Sequence, residues 1–452
     1  MKRIGFIALS GVRAHNPELT KLGLTLPGFV DRNKIIASLP SLGLLTLAGL
    51  TPGTFDVEYH EIADLRNSGD LPGHFDLVAL STFTAQFKEA CAVADLYRAK
   101  GIPVVIGGIT ASSLPQEAGE HCASVVIGEG EPLWPEVLND FARDRLKPRY
   151  VHSSPGQFDL RDAHLPRVDL LDPAKYNRIT VQTSRGCPHQ CEFCASSILL
   201  TNRYKVKPVE KVMAEIREIK KIWPRPFIEF ADDNSFVYRD YYKRLLRQLA
   251  PEQLRWFTEA DVRVAQDSEL LGLMRDSGCQ QVLIGLESPR PASLDRIELK
   301  ANWKARQQDD YKAAIEKIQS YGITVNGCFI LGLDGDTPGV FDDVFQFVKE
   351  SGLYEVQITF LTAFPGTPLL ARLQREGRVI RDKAWELCTL FDINIRPKKM
   401  SVAQLQAGFL GLAKRLYSAE ETSERRRNFK QMLRGSPNFG RHARRREQLM
   451  AA

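Results

Sequence analysis

Thr183-Ser-Arg-Gly-Cys187-Pro-His-Gln-Cys191-Glu-Phe-Cys194-Ala195 places three thiols on one short loop, in the spacing C-x3-C-x2-C. Such a loop can hold three irons of a cubic four-iron four-sulfur cluster and leave the fourth iron without a protein ligand. An open metal position is where chemistry happens. The next cysteine, Cys279, lies far down the chain in a different pattern, so no fourth thiolate is at hand. A zinc site completed by His189 is the other reading of these residues. Zinc ligands usually come as two separated pairs, whereas His189 lies between two of the cysteines, where one metal is hard to reach.

The loop resembles the cluster-binding signature of the radical S-adenosylmethionine (SAM) enzymes, with Phe193 as the aromatic residue often found before the last cysteine. The resemblance implies that the amino and carboxylate groups of SAM chelate the open iron. One electron from the cluster then breaks a carbon–sulfur bond and releases a 5'-deoxyadenosyl radical.

Around the loop, a strand–helix alternation begins at Ile179. Strand candidates are Ile179 to Gln182, Phe227 to Phe230, Arg255 to Ala260, Gln281 to Leu286, Thr324 to Leu331 and Glu355 to Leu361, with helical stretches such as Val209 to Lys221 between them. Six such units are too few for a closed eight-stranded barrel, and they resemble the open partial (β/α)6 barrel of the radical SAM family. The active face is then expected at the carboxyl ends of the strands. Phe230-Ala-Asp232-Asp233-Asn234 ends the second strand, where the family binds the amino end of SAM. Ile284-Gly-Leu-Glu287-Ser288 resembles the segment offering acceptors to ribose. Gly327-Cys-Phe-Ile-Leu-Gly332-Leu-Asp334-Gly-Asp336 is similar to the strand beside adenine, and Phe364-Pro-Gly-Thr-Pro368 follows the sixth. Alone, each reads as a solvated turn or a helix cap; together they follow the family's order. Cys279 and Cys328 sit in apolar strand contexts and are expected in the core. No residue is singled out as a general acid or base.

Residues 1–145 show a second alternation, with strand candidates Arg3 to Leu9, Phe55 to Glu61, Asp76 to Ser81, Pro103 to Ile106 and Ser124 to Ile127. That is the pattern of a parallel sheet with helices on both faces, a Rossmann-like or flavodoxin-like α/β domain. Small or polar residues end each strand: Ser10, Ala63-Asp64, Ser81-Thr82, Gly107-Gly108 and Gly128-Glu129-Gly130. Ligands of open α/β sheets bind beyond these ends, and the absence of G-x-G-x-x-G after the first strand argues against a dinucleotide. Leu39-Pro-Ser-Leu-Gly43, Ile106-Gly-Gly-Ile-Thr110 and Val126-Ile-Gly-Glu-Gly-Glu131-Pro resemble the cobalamin-binding domain that precedes the cluster domain in one radical SAM subfamily. The resemblance implies cobalamin contacts from Ser10, Ser81, Thr82, Gly107, Gly108, Gly128, Glu129 and Gly130, with Leu65 and Arg66 under the corrin. His15 lacks the D-x-H-x-x-G context of a cobalt ligand, so no protein histidine is expected on cobalt.

Residues 146–175 are proline-bearing and without clear period, and read as a linker; the barrel spans 176–395. From 396 to 452 a Ser-capped helical stretch and a basic tail with Arg425-Arg426-Arg427 and Arg444-Arg445-Arg446 form an extension, the tail expected to be solvated. The extension resembles that of cobalamin radical enzymes that methylate hopanoids, pigments and lipids. Hydrophobic residues at 43%, charged at 26% and a net charge of +6 are ordinary for a globular protein. No apolar run reaches membrane-span length, Met1 to Ile7 reads as a strand rather than a signal peptide, and scattered cysteines indicate a reducing cytoplasm. The reading is a cobalamin-dependent radical SAM C-methyltransferase for a hydrophobic or secondary-metabolite small molecule, with an electron donor such as flavodoxin or ferredoxin and no nucleic-acid partner. In the scheme the resemblance implies, cobalamin takes a methyl from one SAM and a second SAM generates the radical that removes a substrate hydrogen. Three other readings are open: the same cofactors used for ring closure, oxidation or rearrangement, a transfer-RNA methylthiotransferase, and a non-catalytic zinc- or cobalamin-binding module. The methylthiotransferases need three N-terminal cysteines, and only Cys91 and Cys122 precede the loop.

Overall fold

Strand β1, Lys2–Leu9, is buried along almost its whole length, as a central parallel strand covered on both faces must be. It lies between β2 (Phe55–Ile62) and β3 (Leu77–Ser81), followed outward by β4 (Val104–Gly107), β5 (Ser124–Ile127) and β6 (Arg149–Val151). Every pairing in this sheet is parallel, and the order β2-β1-β3-β4-β5-β6 is flavodoxin-like. The coordinates are a computed structural model and describe residues 1–9, 11–22, 39–152, 156, 158–196, 201 and 203–440. Helix Phe87–Ala99 shows why the layers close: Phe87, Ala90, Cys91, Val93, Ala94 and Tyr97 recur at helical spacing and all face the sheet.

β6 falls inside the stretch expected to be a linker. Three residues after Pro148 are too short to show a period, and pairing with β5 is what makes them a strand. From Phe158 to Lys175 the chain carries three short 3-10 turns, and the Arg167 N–H donates to the Leu45 carbonyl at 3.0 Å.

The second sheet is also parallel. It contains β7 (Ile179–Val181), then, after the two-residue hairpin strands β8 (Ser184–Arg185) and β9 (Lys205–Val206), β10 (Phe227–Ser235), β11 (Arg255–Ala260), β12 (Cys279–Glu287), β13 (Thr324–Leu331) and β14 (Glu355–Phe360). Its order, β14-β13-β12-β11-β10-β7, is that of an open six-stranded barrel with β7 and β14 at the edges. Register shifts fall between Phe230 and Ser235 and between Gly285 and Glu287, at the strand ends that carry the site motifs. Irregularity there re-aims side chains that regular pairing would fix.

Beyond the barrel, Ser401 and Gln404 form a capping box that starts helix Val402–Leu416, and Ser418 caps helix Ala419–Gly435. The first of these packs on β14, with the Phe360 and Phe409 rings 4.0 Å apart. Arg425 is not part of a solvated tail: it is 5% exposed and donates to the Leu416 carbonyl at 2.8 Å. The Arg444-Arg445-Arg446 run lies outside the described residues. A strap between barrel and extension returns to the first sheet, where the Trp385 indole donates to Glu117 at 2.9 Å and Lys88 pairs with Glu386 at 2.8 Å. No helix among the described residues is long and apolar enough to cross a membrane.

Candidate active site

The three cysteines sit beyond the end of β7 on a loop held from two sides. On one side Glu192 donates its N–H to Ile297, Leu299 donates to Gln190, and the Glu298 carboxylate accepts from the backbone of Gln190, Lys300, Ala301 and Trp303. On the other, the Leu369 N–H donates to the Glu192 carbonyl, and Arg372 binds the Glu192 carboxylate through two nitrogens, at 3.0 and 2.6 Å. That bidentate pair is partly shielded from solvent, which favours a firm geometry. Arg372→Ala is expected to leave the barrel folded but to lower iron retention of the reconstituted protein by roughly tenfold on dilution, the effect of losing an outer-shell support. Iron released to a chelator over time measures it.

Entry to the loop is fixed from below. Gly186 has φ +89°, and a Cβ there would lie 2.5 Å from the Arg203 carbonyl oxygen, so only glycine fits. Its N–H donates to Asp233 at 2.7 Å, and the other Asp233 oxygen accepts from the Ser196 hydroxyl. Asp232 is buried on the helix side of β10. It accepts from the Thr183 and Ser184 N–H groups, both at 2.8 Å, and from the Thr183, Ser235 and Tyr242 hydroxyls. Both carboxylates hold the cysteine loop. Asp232, with five donors, has no acceptor site left for an ammonium, whereas Asp233 takes one donor on each oxygen and keeps room for another, so of the two acids expected at the amino end of SAM only Asp233 can still meet it.

Asn234, between them and the next strand, touches the loop's chemistry. Its amide nitrogen lies 3.8 Å from Cys187 Sγ and donates to Asp261 at 3.1 Å, while Oδ1 is buried without a partner among the described residues. Burial pushes the Cys187 thiol up to about 11 and Cys191 higher still, so thiolates here need compensating positive charge. Lys304 is close enough to Cys191 to supply part of it. Burial alone would lower Lys304, but Glu287, at 2.8 Å, and Cys191 hold it well above the ordinary lysine value.

His189 does not complete a zinc set. It stacks on Trp303 with centroids 4.1 Å apart, and its Nε2 faces Asp261 at 3.6 Å and Arg263 at 3.3 Å. Among the described residues no three His, Cys, Asp or Glu side chains gather around a point suited to one metal ion. Thiols spread along a loop suit a multi-iron cluster better than a single ion.

Glu287 ends β12 with φ +63°, an uncommon conformation for glutamate, and its carboxylate pairs with Lys304 at 2.8 Å. Ser288 is buried and acts within its own turn, its hydroxyl accepting from the Arg290 N–H at 3.2 Å. Gly332 lies at the end of β13, its N–H bound to Asp336 at 2.9 Å. Phe193 and Leu65 both pack against a buried cluster that draws side chains from the first domain and from the barrel's ends. Cys279 is buried in the barrel's outer core, as expected. Cys328 is not: it is half-buried on the inner wall, in register with Gly285 and Gln357 and with Glu259, Glu287 and Lys304 around it.

Glu259 escaped the sequence reading. It points from β11 into the barrel, open to the interior yet enclosed by protein, and among the described residues no hydrogen bond or ion pair satisfies it. Burial, together with Glu229, Asp233, Asp232 and Glu287, raises its carboxyl to about 8. An unpaired acid among like charges is a place for a cation. The strand pattern Trp-Phe-Thr-Glu-Ala gave a sign, since a charged residue at an inward position of an apolar strand has no structural use.

At the strand ends of the first sheet a cavity of about 300 Å³ opens, lined by Ser81, Gly107, Gly108, Gly128, Glu129 and Gly130 and walled by Leu44, Leu47, Ala79, Val126 and Trp134. Gly108 has φ +93°, and a Cβ on it would meet Ser81 Oγ at 2.8 Å. Six of the expected ligand residues therefore share one cavity. Thr82, Leu65 and Arg66 are not among its lining: Thr82 is buried and its carbonyl accepts from Thr110 at 3.0 Å, the Leu65 N–H donates to Glu89 at 2.6 Å, and Arg66 folds onto Asp64 at 2.9 and 2.8 Å. Ser10 lies outside the described residues. Gln182 and Arg185, from the second domain, close the cavity.

Residues 181–348 match the Radical SAM superfamily, and residues 367–452 match a domain of unknown function, DUF4070. Over 403 residues the chain is 27% identical to bacteriochlorophyllide d C-12(1)-methyltransferase of Chlorobaculum tepidum, covering 86% of this chain and 84% of the relative. It is 28% identical over 356 residues to hopanoid C-2 methylase of Rhodopseudomonas palustris, covering 77% and 67%. The radical S-adenosylmethionine methyltransferase TsrM of Kitasatospora setae, solved with cobalamin and a 4Fe-4S cluster, shares the fold with a TM-score of 0.62 at 17% identity, over 84% of this chain and 76% of that one.

Proposed function

We propose that this chain, a member of the radical S-adenosylmethionine superfamily, is a cobalamin-dependent C-methyltransferase acting on an unactivated carbon of a small molecule. The observation that carries the proposal is a shared wall. The cavity at the first sheet's strand ends is closed by Arg185, and Arg185 stands two residues before Cys187. Strand ends are where open α/β sheets and β/α barrels each hold ligands, and here the two meet. When bound, the cluster with SAM supplies a radical and cobalamin supplies a methyl group, chemistry beyond any side chain.

The donor set fits these groups. Cys187, Cys191 and Cys194 would hold the cluster, with Asn234 donating toward the Cys187 sulfur. SAM is a cation with an ammonium and a sulfonium, and the acidic inner wall with its unpaired Glu259 suits it. Lys304 offers positive charge on the same wall, while Glu287, Ser288 and Gly332 mark the ends of β12 and β13 where the nucleoside would lie. The cavity suits a corrinoid: Gly107, Gly108, Gly128 and Gly130 let backbone approach the ligand, and Leu44, Leu47 and Trp134 offer an apolar bed for an aromatic arm. That Phe193 and Leu65 pack on one cluster drawn from both domains supports a place for them near both sites. The named relatives act on a pigment and a hopanoid, which favours a substrate with a large apolar body, and a flavodoxin or ferredoxin would supply the electron.

Deletion of the gene and comparison of small-molecule extracts yields the substrate as a species lighter by one methylene. Anaerobically reconstituted protein given that species and SAM carrying a labelled methyl is then expected to place the label in product. Product without the label turns the reading toward ring closure or rearrangement and overturns methyl transfer.

A further inference from the structure

Arg185 is the one side chain that both walls the first-domain cavity and belongs to the strand leading into the cysteine loop. Its Nη1 donates to Glu129 at 2.8 Å and its Nη2 to Glu131 at 2.6 Å, both carboxylates lying on the loop after β5. Gln182 accepts from the same guanidinium at 3.3 and 3.0 Å. Lys205, paired with Arg185 across the β8–β9 hairpin, also reaches Glu129, at 2.8 Å, and the second Glu129 oxygen accepts from the Phe158 N–H at 2.8 Å. All four charged side chains are largely buried. Both strands of the hairpin are thus tied to one carboxylate of the other domain.

A single residue, Gly186, separates Arg185 from Cys187. Gly186 has its N–H taken by Asp233 and no room for a Cβ, so a movement of Arg185 is passed to the first cluster ligand. A ligand in the cavity touches Glu129 and Glu131 as well as Arg185, because all three line it. Buried charge pairs have few alternative partners, and altering two of them alters the third.

We propose that Arg185 is a positioning residue that couples corrinoid binding in the first-domain cavity to SAM binding at the cysteine loop. The inference rests on the function proposed above. Coupling of this kind is reciprocal: whatever factor SAM imposes on corrinoid affinity, the corrinoid imposes on SAM. A lysine cannot reproduce the device, because one ammonium lacks the planar fork that reaches two carboxylates at once.

The experiment titrates hydroxocobalamin into anaerobically reconstituted protein, by absorbance, with and without saturating SAM. The cluster's reduced electron paramagnetic resonance spectrum is recorded with and without cobalamin. In the parent chain the cobalamin Kd is expected to change at least about fivefold on adding SAM, with a shift in the cluster's g-values. Arg185→Lys is expected to bind each ligand while bringing the ratio of the two Kd values near one and removing the spectral shift. A merely structural role would weaken both ligands and leave the ratio unchanged. Should Arg185→Lys fail to hold a cluster, Glu131→Gln, which removes one arm of the fork, decides by the same ratio. Coupling retained in the variants, or no coupling in the parent chain with both ligands bound, overturns the inference and leaves the proposed function standing. A parent chain that takes up no cobalamin defeats the proposed function, and the coupling falls with it.

Discussion

Cys191→Ala is expected to give a folded protein that retains little iron and sulfide and cleaves SAM at a rate reduced by more than the roughly 100-fold that loss of an outer-shell partner costs. Folding should survive because the loop does not depend on that thiol for its shape. Glu192 stays clamped by Arg372 and Leu369, residues 190–192 stay hydrogen-bonded to 297–299, and Glu298 still gathers four backbone donors. Cluster assembly should not survive, because among the described residues no substitute ligand is within reach. Cys328 lies on the inner barrel wall, Cys279 is in the outer core, and His189 is stacked on Trp303. Iron and sulfide content, the visible charge-transfer absorption and released 5'-deoxyadenosine are the measurements. Full iron content in the variant, or a parent chain that takes up one zinc and no sulfide, would sink the cluster reading. Asn234→Ala should be milder: it removes one N–H donor to the Cys187 sulfur, so the cluster forms and its potential falls.

What the sequence disclosed well is what is local or periodic. The cysteine loop is a spacing, and the strands announce themselves as apolar runs between turn residues, so ten of the twelve strands of the two sheets both begin and end within two residues of the expected positions. β6 was invisible because a three-residue strand has no period, and the ends of β10 and β12 ran longer than expected because bulged pairing, not local sequence, carries them on. Side-chain direction was the harder matter. Asp232 and Asp233 are adjacent acids at a strand end, and alternation alone sends them to opposite faces, one toward Tyr242 and the helices, the other toward Gly186. Their shared task, holding the cysteine loop, depends on donors that lie 47 to 49 positions away. The same holds for Arg185, whose partners Glu129 and Glu131 stand in another domain, and no period or motif links the three.

Glu259→Gln carries the other large effect, and its sign can be worked out. Burial and the surrounding acids raise the Glu259 carboxyl to about 8 from an ordinary 4.5. Below that value the empty barrel holds the group protonated, so a bound cation must first expel the proton. SAM affinity should therefore strengthen as pH rises through about 8 and level off above it. The folded chain also keeps a proton that the unfolded chain has released between pH 4.5 and 8, so this group's effect is to lower stability as pH rises across that window. Glutamine keeps the shape and removes the charge. The variant should bind SAM about tenfold to a hundredfold more weakly at pH 9, the worth of one charge-assisted hydrogen bond, with an affinity that no longer climbs with pH. Without SAM it should melt at a higher temperature than the parent chain at pH 9, by a smaller margin at pH 6, and at nearly the same temperature at pH 4.5. Equilibrium dialysis of SAM and thermal melts at those pH values test both halves. A variant that binds SAM as the parent chain does, with the same pH profile, would mean that the unpaired acid of the inner wall does not face the sulfonium or ammonium, and that the cation is held instead by the cluster face alone.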